Sequence, residues 1–176
     1  MGRSFSVQDE ARIEPYIASL RRYAYGLCHD SHLADDLVQD CLERAISRWH
    51  LRRDDGNLRA WLFTILHNEF INGRRQIARR GIATPLDELV IEPSAVADQE
   101  ENLHVSDVMA AVDRLAPDHR ALILLIGVEE LSYEEAATVL QIPIGTVMSR
   151  LSRARAKLRQ FLQEGHPGAE ITYLKR

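Results

Sequence analysis

Apolar residues recur at helical spacing along most of the chain, and nowhere does a run alternate with the two-residue period of a half-buried strand. Ile13, Ile17, Leu20, Ala24 and Leu27 form one stripe. Ala34, Leu37, Val38, Cys41, Leu42, Ala45, Ile46 and Trp49 form a stronger one. Between them, Asp30 or Ser31 is suited to cap the second helix, with Asp35 and Asp36 expected in its first turn, where the helix dipole favours negative charge. A polar break from Leu51 to Asn57, with the turn-forming run Asp55-Gly56-Asn57, precedes a third stripe through Leu58, Trp61, Leu62, Ile65, Leu66, Phe70 and Ile77. Three helices striped in this way are expected to pack as one bundle over residues 10–80.

Past Arg80 the periodicity lapses, and residues 81–103, with Pro85 and Pro93, read as a partly extended linker. A second helical set is expected over residues 104–162. It begins with Val105, Val108, Met109, Val112 and Leu115 and resumes at Pro117, a residue suited to the first helical position. Ser132-Tyr133-Glu134-Glu135 has the Ser-x-x-Glu form of a capping box, opening a short helix that ends near Leu140. Gln141-Ile142-Pro143 is a tight turn. The last helix carries Val147, Leu151, Ala154, Leu158 and Leu162 on one face, and residues 163–176 form a tail. The expected fold is all-α, with an N-terminal helical bundle and a C-terminal helix-turn-helix domain joined by an acidic linker.

Charge sharpens this division. The net charge of −4 would on its own count against a polyanion ligand. Its distribution points the other way. From Gly81 to Asp113 there is no Lys or Arg, whereas Arg74, Arg75, Arg79 and Arg80 form one basic cluster and Arg150, Arg153, Arg155, Lys157 and Arg159 another. The two cysteines, Cys28 and Cys41, fall on helices without zinc or disulfide spacing, which suits a reduced, cytoplasmic setting. No run approaches a membrane span, the first residues lack the apolar core of a signal peptide, and Met1-Gly2 resembles a myristoylation site only superficially.

The segment from Ser132 to Arg159 has the layout of a helix-turn-helix. If Val147, Leu151, Ala154 and Leu158 face the core, a rotation of ~100° per residue puts Ser149, Ser152, Arg153 and Ala156 on the opposite side. Small residues there let a helix backbone approach base edges, and Arg153 has the fork geometry for guanine. Thr146, Arg150, Arg155, Lys157 and Arg159 lie at the helix start or along its flanks, where phosphates are met. A weaker signal comes from Asn68, Asn72, Arg75 and Arg79, which share one face of the third helix. Ahead of them the loop from Arg52 through Arg53 to Asn57 has a composition suited to holding an unstacked base. His67 borders that stripe, and Trp49 and Trp61 read as core.

Ala34-Asp35-Asp36-Leu37-Val38-Gln39-Asp40, the run Leu58 to Asn68, Leu131-Ser132-Tyr133-Glu134-Glu135-Ala136-Ala137 and the run Pro143 to Arg155 together resemble the extracytoplasmic-function RNA polymerase sigma factors. The likeness spans about residues 10 to 162, and Asn57 to Phe70 is similar to the alphaproteobacterial general-stress branch. The resemblance implies a specificity subunit whose partners are core RNA polymerase, through the β′ clamp helices and the β subunit, promoter DNA, and an anti-sigma factor. Asp36, Gln39, Asp40 and Glu43 would dock on the clamp helices. Arg52, Arg53 and Asn57 would capture a flipped base of the minus 10 element, with Asn68, Asn72, Arg75 and Arg79 holding the separated strand. Thr146, Ser149, Arg150, Ser152, Arg153, Arg155 and Lys157 would read the minus 35 element, and the acidic linker would thread through the polymerase. Met148 departs from the Lys or Arg of many relatives, which removes one contact.

Other readings are weaker. Cys28, His29 and His32 lack a fourth metal ligand, so no metal or other cofactor is expected. No phosphate loop or nucleophile motif is present, and Asp35-Asp36 and Glu134-Glu135 point different ways on a helix, so no enzymatic activity is expected. A decoy that sequesters an anti-sigma protein would lack the basic faces and carry a receiver domain; this chain keeps Arg75, Arg79, Arg150 and Arg153 and shows no receiver-like segment. A stand-alone helix-turn-helix regulator would leave the N-terminal bundle without a purpose.

Overall fold

The computed structural model describes residues 5–52, 56–79 and 107–165, and every regular element among them is helical. The expected linker 81–103, Arg53, Arg80, Val105 and residues 166–176 lie outside the described residues. Two compact units emerge: one holds the helices that precede the linker together with residues Glu134–Gln141, and the other holds the helices leading to Tyr133 and the chain from Ile142 onward.

In the first unit the N-terminal stripe is divided between two helices. α1 (Val7–Ile13) is opened by a capping box of Ser6 and Asp9. Ser6 donates to the buried Asp9 carboxylate from its N–H at 3.1 Å and its Oγ at 2.8 Å. Pro15 cannot supply an N–H to a continuous helix, so a 3-10 turn, Glu14–Tyr16, leads into α2 (Ile17–Cys28), leaving Ile17 half-buried. α2 ends at His29, which adopts φ 56° without being glycine.

α3 (Ser31–Ser47) is capped by Asp30, whose side chain accepts from the Leu33 N–H at 2.9 Å. Because the helix starts at Ser31, its first turn contains no acid, and Asp35 and Asp36 fall in the second turn, contrary to expectation. Ile46 is also not a core residue: it is 45% exposed, because Ala45 occupies the buried position and the next residue is turned ~100° away. α4 (Leu58–Arg79) is capped by Asn57, which accepts from the Ala60 N–H at 3.0 Å. Beyond Phe70 no residue of α4 is buried, so Ile77, expected in the stripe, stands exposed.

α2, α3 and α4 pack pairwise into the expected bundle. Leu20, Tyr23, Cys41, Leu62, Phe63 and Leu66 form its centre, each large apolar side chain contributing roughly 1.5–3 kcal/mol by leaving water. Tyr23 lies 5.4 Å from Phe63, ring centre to ring centre, and its hydroxyl is 2.9 Å from His67 Nδ1, which satisfies the phenolic oxygen taken into that core. Trp49 is buried edge-on to the half-buried Trp61, with ring centres 5.9 Å apart.

In the second unit the chain is helical over 107–113 (α5), and α6 (Pro117–Ile123) begins on its proline as expected. Arg120 donates to the carbonyl oxygens of Asp113 and Leu115, tying the α5–α6 junction together. α6 passes into a π-turn, Leu124–Val128, in which the Glu129 N–H reaches the Leu124 carbonyl at 2.9 Å; Glu130 then reverses the chain at φ 53°. α7 (Tyr133–Leu140) follows in chain order, with all but Tyr133 belonging to the first unit, and α8 (Ile144–Gly165) returns to the second. α8 therefore includes the first three residues expected in the tail. It packs against α6, and Leu122, Leu125, Val147, Leu151, Ala154 and Leu158 are buried in this unit.

Candidate nucleic-acid interface

α8 begins where Gln141, at φ 54°, ends the preceding helix and the Pro143 carbonyl accepts from the Thr146 and Val147 N–H groups at 2.8 and 3.1 Å. The phase this fixes is the expected one. Val147, Leu151, Ala154, Leu158 and Leu162 are buried, while Ser149, Ser152, Arg153, Ala156 and Lys157 are exposed and Thr146, Arg150 and Arg155 half-buried. The exposed centre is narrow in side-chain bulk: Ser149 donates back to the Thr146 carbonyl at 3.2 Å, and Arg153 rests its Nε on the Ser149 carbonyl at 3.2 Å. A helix with small side chains along its outer midline and cations on both borders matches a major groove and its two phosphate rails.

The two borders differ. On one, Arg150 pairs with Asp118 of α6 at 2.8 Å, and His119 feels the charges of Arg153, Arg150 and Lys157. Burial and those cations hold the His119 imidazole below its ordinary pKa. Neither Asp118 nor His119 was singled out from sequence, because they precede the helix-turn-helix, Asp118 by 32 residues from its partner. On the other border Tyr133, Met148, Leu151, Ser152, Arg155, Ala156 and Arg159 line a cavity of about 400 Å³, and Met148 is 52% exposed.

The first unit presents a different surface. Asn72, Arg75 and Arg79 are exposed on α4 and Asn68 is half-buried, all on one face as expected. Arg74, their neighbour, folds back over Phe70 at 5.8 Å, and Arg44 is paired with Glu69 at 2.8 Å. At the head of α4 the guanidinium of Arg52 stacks over Trp49 at 4.8 Å. Arg52 and Trp49 thus stack just ahead of α4, and Asn57 caps the start of the helix that carries the Asn-Arg stripe. On α3, Asp36, Gln39, Asp40 and Glu43 are all exposed, and Gln39 donates to Glu43 at 3.1 Å.

Cys28 donates to the Asp30 carbonyl at 3.3 Å and Cys41 to the Leu62 carbonyl at 3.4 Å, so both thiols act as packed, weakly hydrogen-bonded groups. Among the described residues no three His, Cys, Asp or Glu side chains converge on a metal-sized site, and no helix is long and apolar enough to cross a membrane.

Known proteins are similar to this chain in sequence and in fold. Residues 13–67 match the family described as the Sigma2 domain of PhyR, and residues 106–158 match Sigma-70, region 4. The ECF RNA polymerase sigma factor EcfG of Rhodopseudomonas palustris is 36% identical over 83% of this chain and 80% of its own length. SigL of Mycobacterium tuberculosis, another ECF sigma factor, is 34% identical over 88% of each chain. Among solved structures, the sigma factor RpoE of Bartonella quintana, in complex with the anti-sigma factor NepR, is similar at a TM-score of 0.76 and 35% identity, covering 90% of this chain and 98% of its own.

Proposed function

The chain belongs to the extracytoplasmic-function RNA polymerase sigma factors, and from that premise we propose how its parts divide promoter recognition. As a sigma factor it binds core RNA polymerase and directs promoter-specific transcription initiation; the family is not enzymatic. Residues 10–80 serve as region 2, residues 104–162 as region 4, residues 81–103 as the connecting linker and residues 163–176 as a tail. Asp36, Gln39, Asp40 and Glu43 dock on the β′ clamp helices. Arg52, Arg53 and Asn57 take a flipped minus 10 base, Asn68, Asn72, Arg75 and Arg79 hold its strand, and α8 enters the duplex at the minus 35 element.

The observation that carries this reading is the phase of α8. The residues that could read base edges, Ser149, Ser152 and Arg153, lie opposite a fully buried apolar stripe, so the basic face is presented to a partner rather than used in the core. The likeness to RpoE, solved bound to NepR, supports an anti-sigma partner for this chain and a place in a stress response. Because its sites are for polymerase and promoter, the chain works in the cytoplasm. One observation favours a second reading, a decoy for the anti-sigma factor: residues 13–67 match the Sigma2 domain of PhyR, and PhyR of Bartonella quintana, solved in complex with NepR, is an anti-anti-sigma factor. The exposed cations of α8 are superfluous to a decoy.

Run-off transcription with core polymerase on a fragmented genomic template separates the readings. The chain should produce discrete transcripts that core alone does not. A chain that binds core yet starts no transcript on any fragment would overturn the proposal and favour the decoy.

A further inference from the structure

The border of α8 that faces α6 has a composition that the helix-turn-helix alone does not explain. Arg150, Arg153 and Lys157 stand along it, yet Arg150 is paired with an acid: Asp118, 66% exposed, at 2.8 Å. An exposed ion pair of this kind contributes little to stability, so it is easily exchanged for another anion. Next to Asp118 on the same short helix, the half-buried His119 lies within electrostatic reach of the same cations. We propose that the duplex-docking surface continues off α8 onto α6, where Asp118 occupies Arg150 in the free chain and releases it to a backbone phosphate, and His119 serves as a further phosphate ligand. The proposal rests on the reading of α8 as the duplex-reading helix.

Two physical consequences follow. A phosphate that takes Arg150 must approach Asp118, and two anions sharing one guanidinium repel each other. Asp118 therefore lowers affinity for any duplex, promoter or not, while leaving base readout by Arg153 untouched. His119 is kept uncharged near neutrality by its partial burial first, and then by Arg153, Arg150 and Lys157, against the opposing pull of Asp118. An arriving phosphate adds negative charge on that side and favours the imidazolium, so docking takes up a proton and strengthens as pH falls. The groups that act on His119 are thus one acid of its own helix and three cations of α8.

Holoenzyme assembled from core polymerase and the full chain, titrated with labelled promoter duplex and with a scrambled duplex over a range of salt and pH, tests both residues. Asp118→Asn should bind both duplexes on the order of three- to tenfold more tightly and steepen the salt dependence by about one phosphate contact. Equal or weaker binding with an unchanged salt slope overturns the role of Asp118. With the unaltered chain, promoter affinity should rise between pH 8 and pH 6, and His119→Gln should flatten that rise; a rise that persists in the variant, or none to begin with, overturns the role of His119. Arg153→Ala in the same titration keeps the underlying reading separate. If it leaves promoter preference intact, α8 is not the reading helix, whatever Asp118 and His119 do.

Discussion

The two basic surfaces sit on helices of unlike construction. On α8 the buried stripe runs unbroken from Val147 to Leu162, so packing fixes the rotation of every exposed residue along the helix. On α4 burial ends at Phe70, and Asn72, Arg75 and Arg79 stand on a segment with no buried face. Under the proposed division of roles, the difference fits the two forms of DNA. Base edges in a duplex groove lie at fixed positions and demand a helix of fixed phase, whereas a separated strand is flexible and can adapt to side chains that themselves adapt.

Removing packing from one unit should have the largest effect on this comparison. Phe63 is fully buried beside Tyr23, and Phe63→Ala should cost the first unit about 3–5 kcal/mol. Hydrogen exchange should show α2, α3 and α4 losing protection while α8 keeps its own; loss of protection in α8 to the same degree would mean that its phase is not set within the second unit.

A smaller effect separates sequence reading from strand holding. Arg153→Ala should reduce discrimination between correct and altered minus 35 elements by ~1–3 kcal/mol, and Arg75→Ala should weaken binding about equally for all sequences. Holoenzyme affinities on matched and mismatched promoters provide the check. If Arg75→Ala proves the more sequence-selective of the two, the assignment of roles is reversed.

Much of this contrast was legible in the sequence, because amphipathic phase is written in residue type. The stripe of α8, the cap at Asp30 and the proline start of α6 follow directly from where Leu, Asp and Pro stand. The end of burial on α4 was not legible, since Ile77 continues the period on paper but stands exposed, with no helix among the described residues burying it. His29, Glu130 and Gln141 reverse the chain at positive φ without the glycine that usually announces such a turn, and the π-turn at Leu124–Val128 has no residue signature at all. Asp118 and His119 were invisible for another reason: their significance comes from a helix more than 25 residues later in the chain.

The smallest expected effect comes from the core between α3 and α4. Burial, with some help from Glu69, pushes the Cys41 thiol up to about 12. Above the ordinary thiol value of ~8.5 the unfolded chain loses that proton and the folded chain keeps it, so stability should fall as pH rises from 8.5 to 9.5, by about 1 kcal/mol. Denaturant titrations of the intact chain and of Cys41→Ala measure it, the slope with pH shrinking in the variant. An unchanged slope would mean that Cys41 is not held neutral by the packing of α3 on α4.

The most direct test of the division of labour is permanganate reactivity of thymines in a promoter bound by the holoenzyme. The account predicts reactive thymines across the minus 10 element when the chain is present, and their loss at the flipped position when Arg52 and Asn57 are both replaced by Ala, with protection of the minus 35 duplex unchanged. A promoter that the holoenzyme occupies at minus 35 but never opens would contradict it.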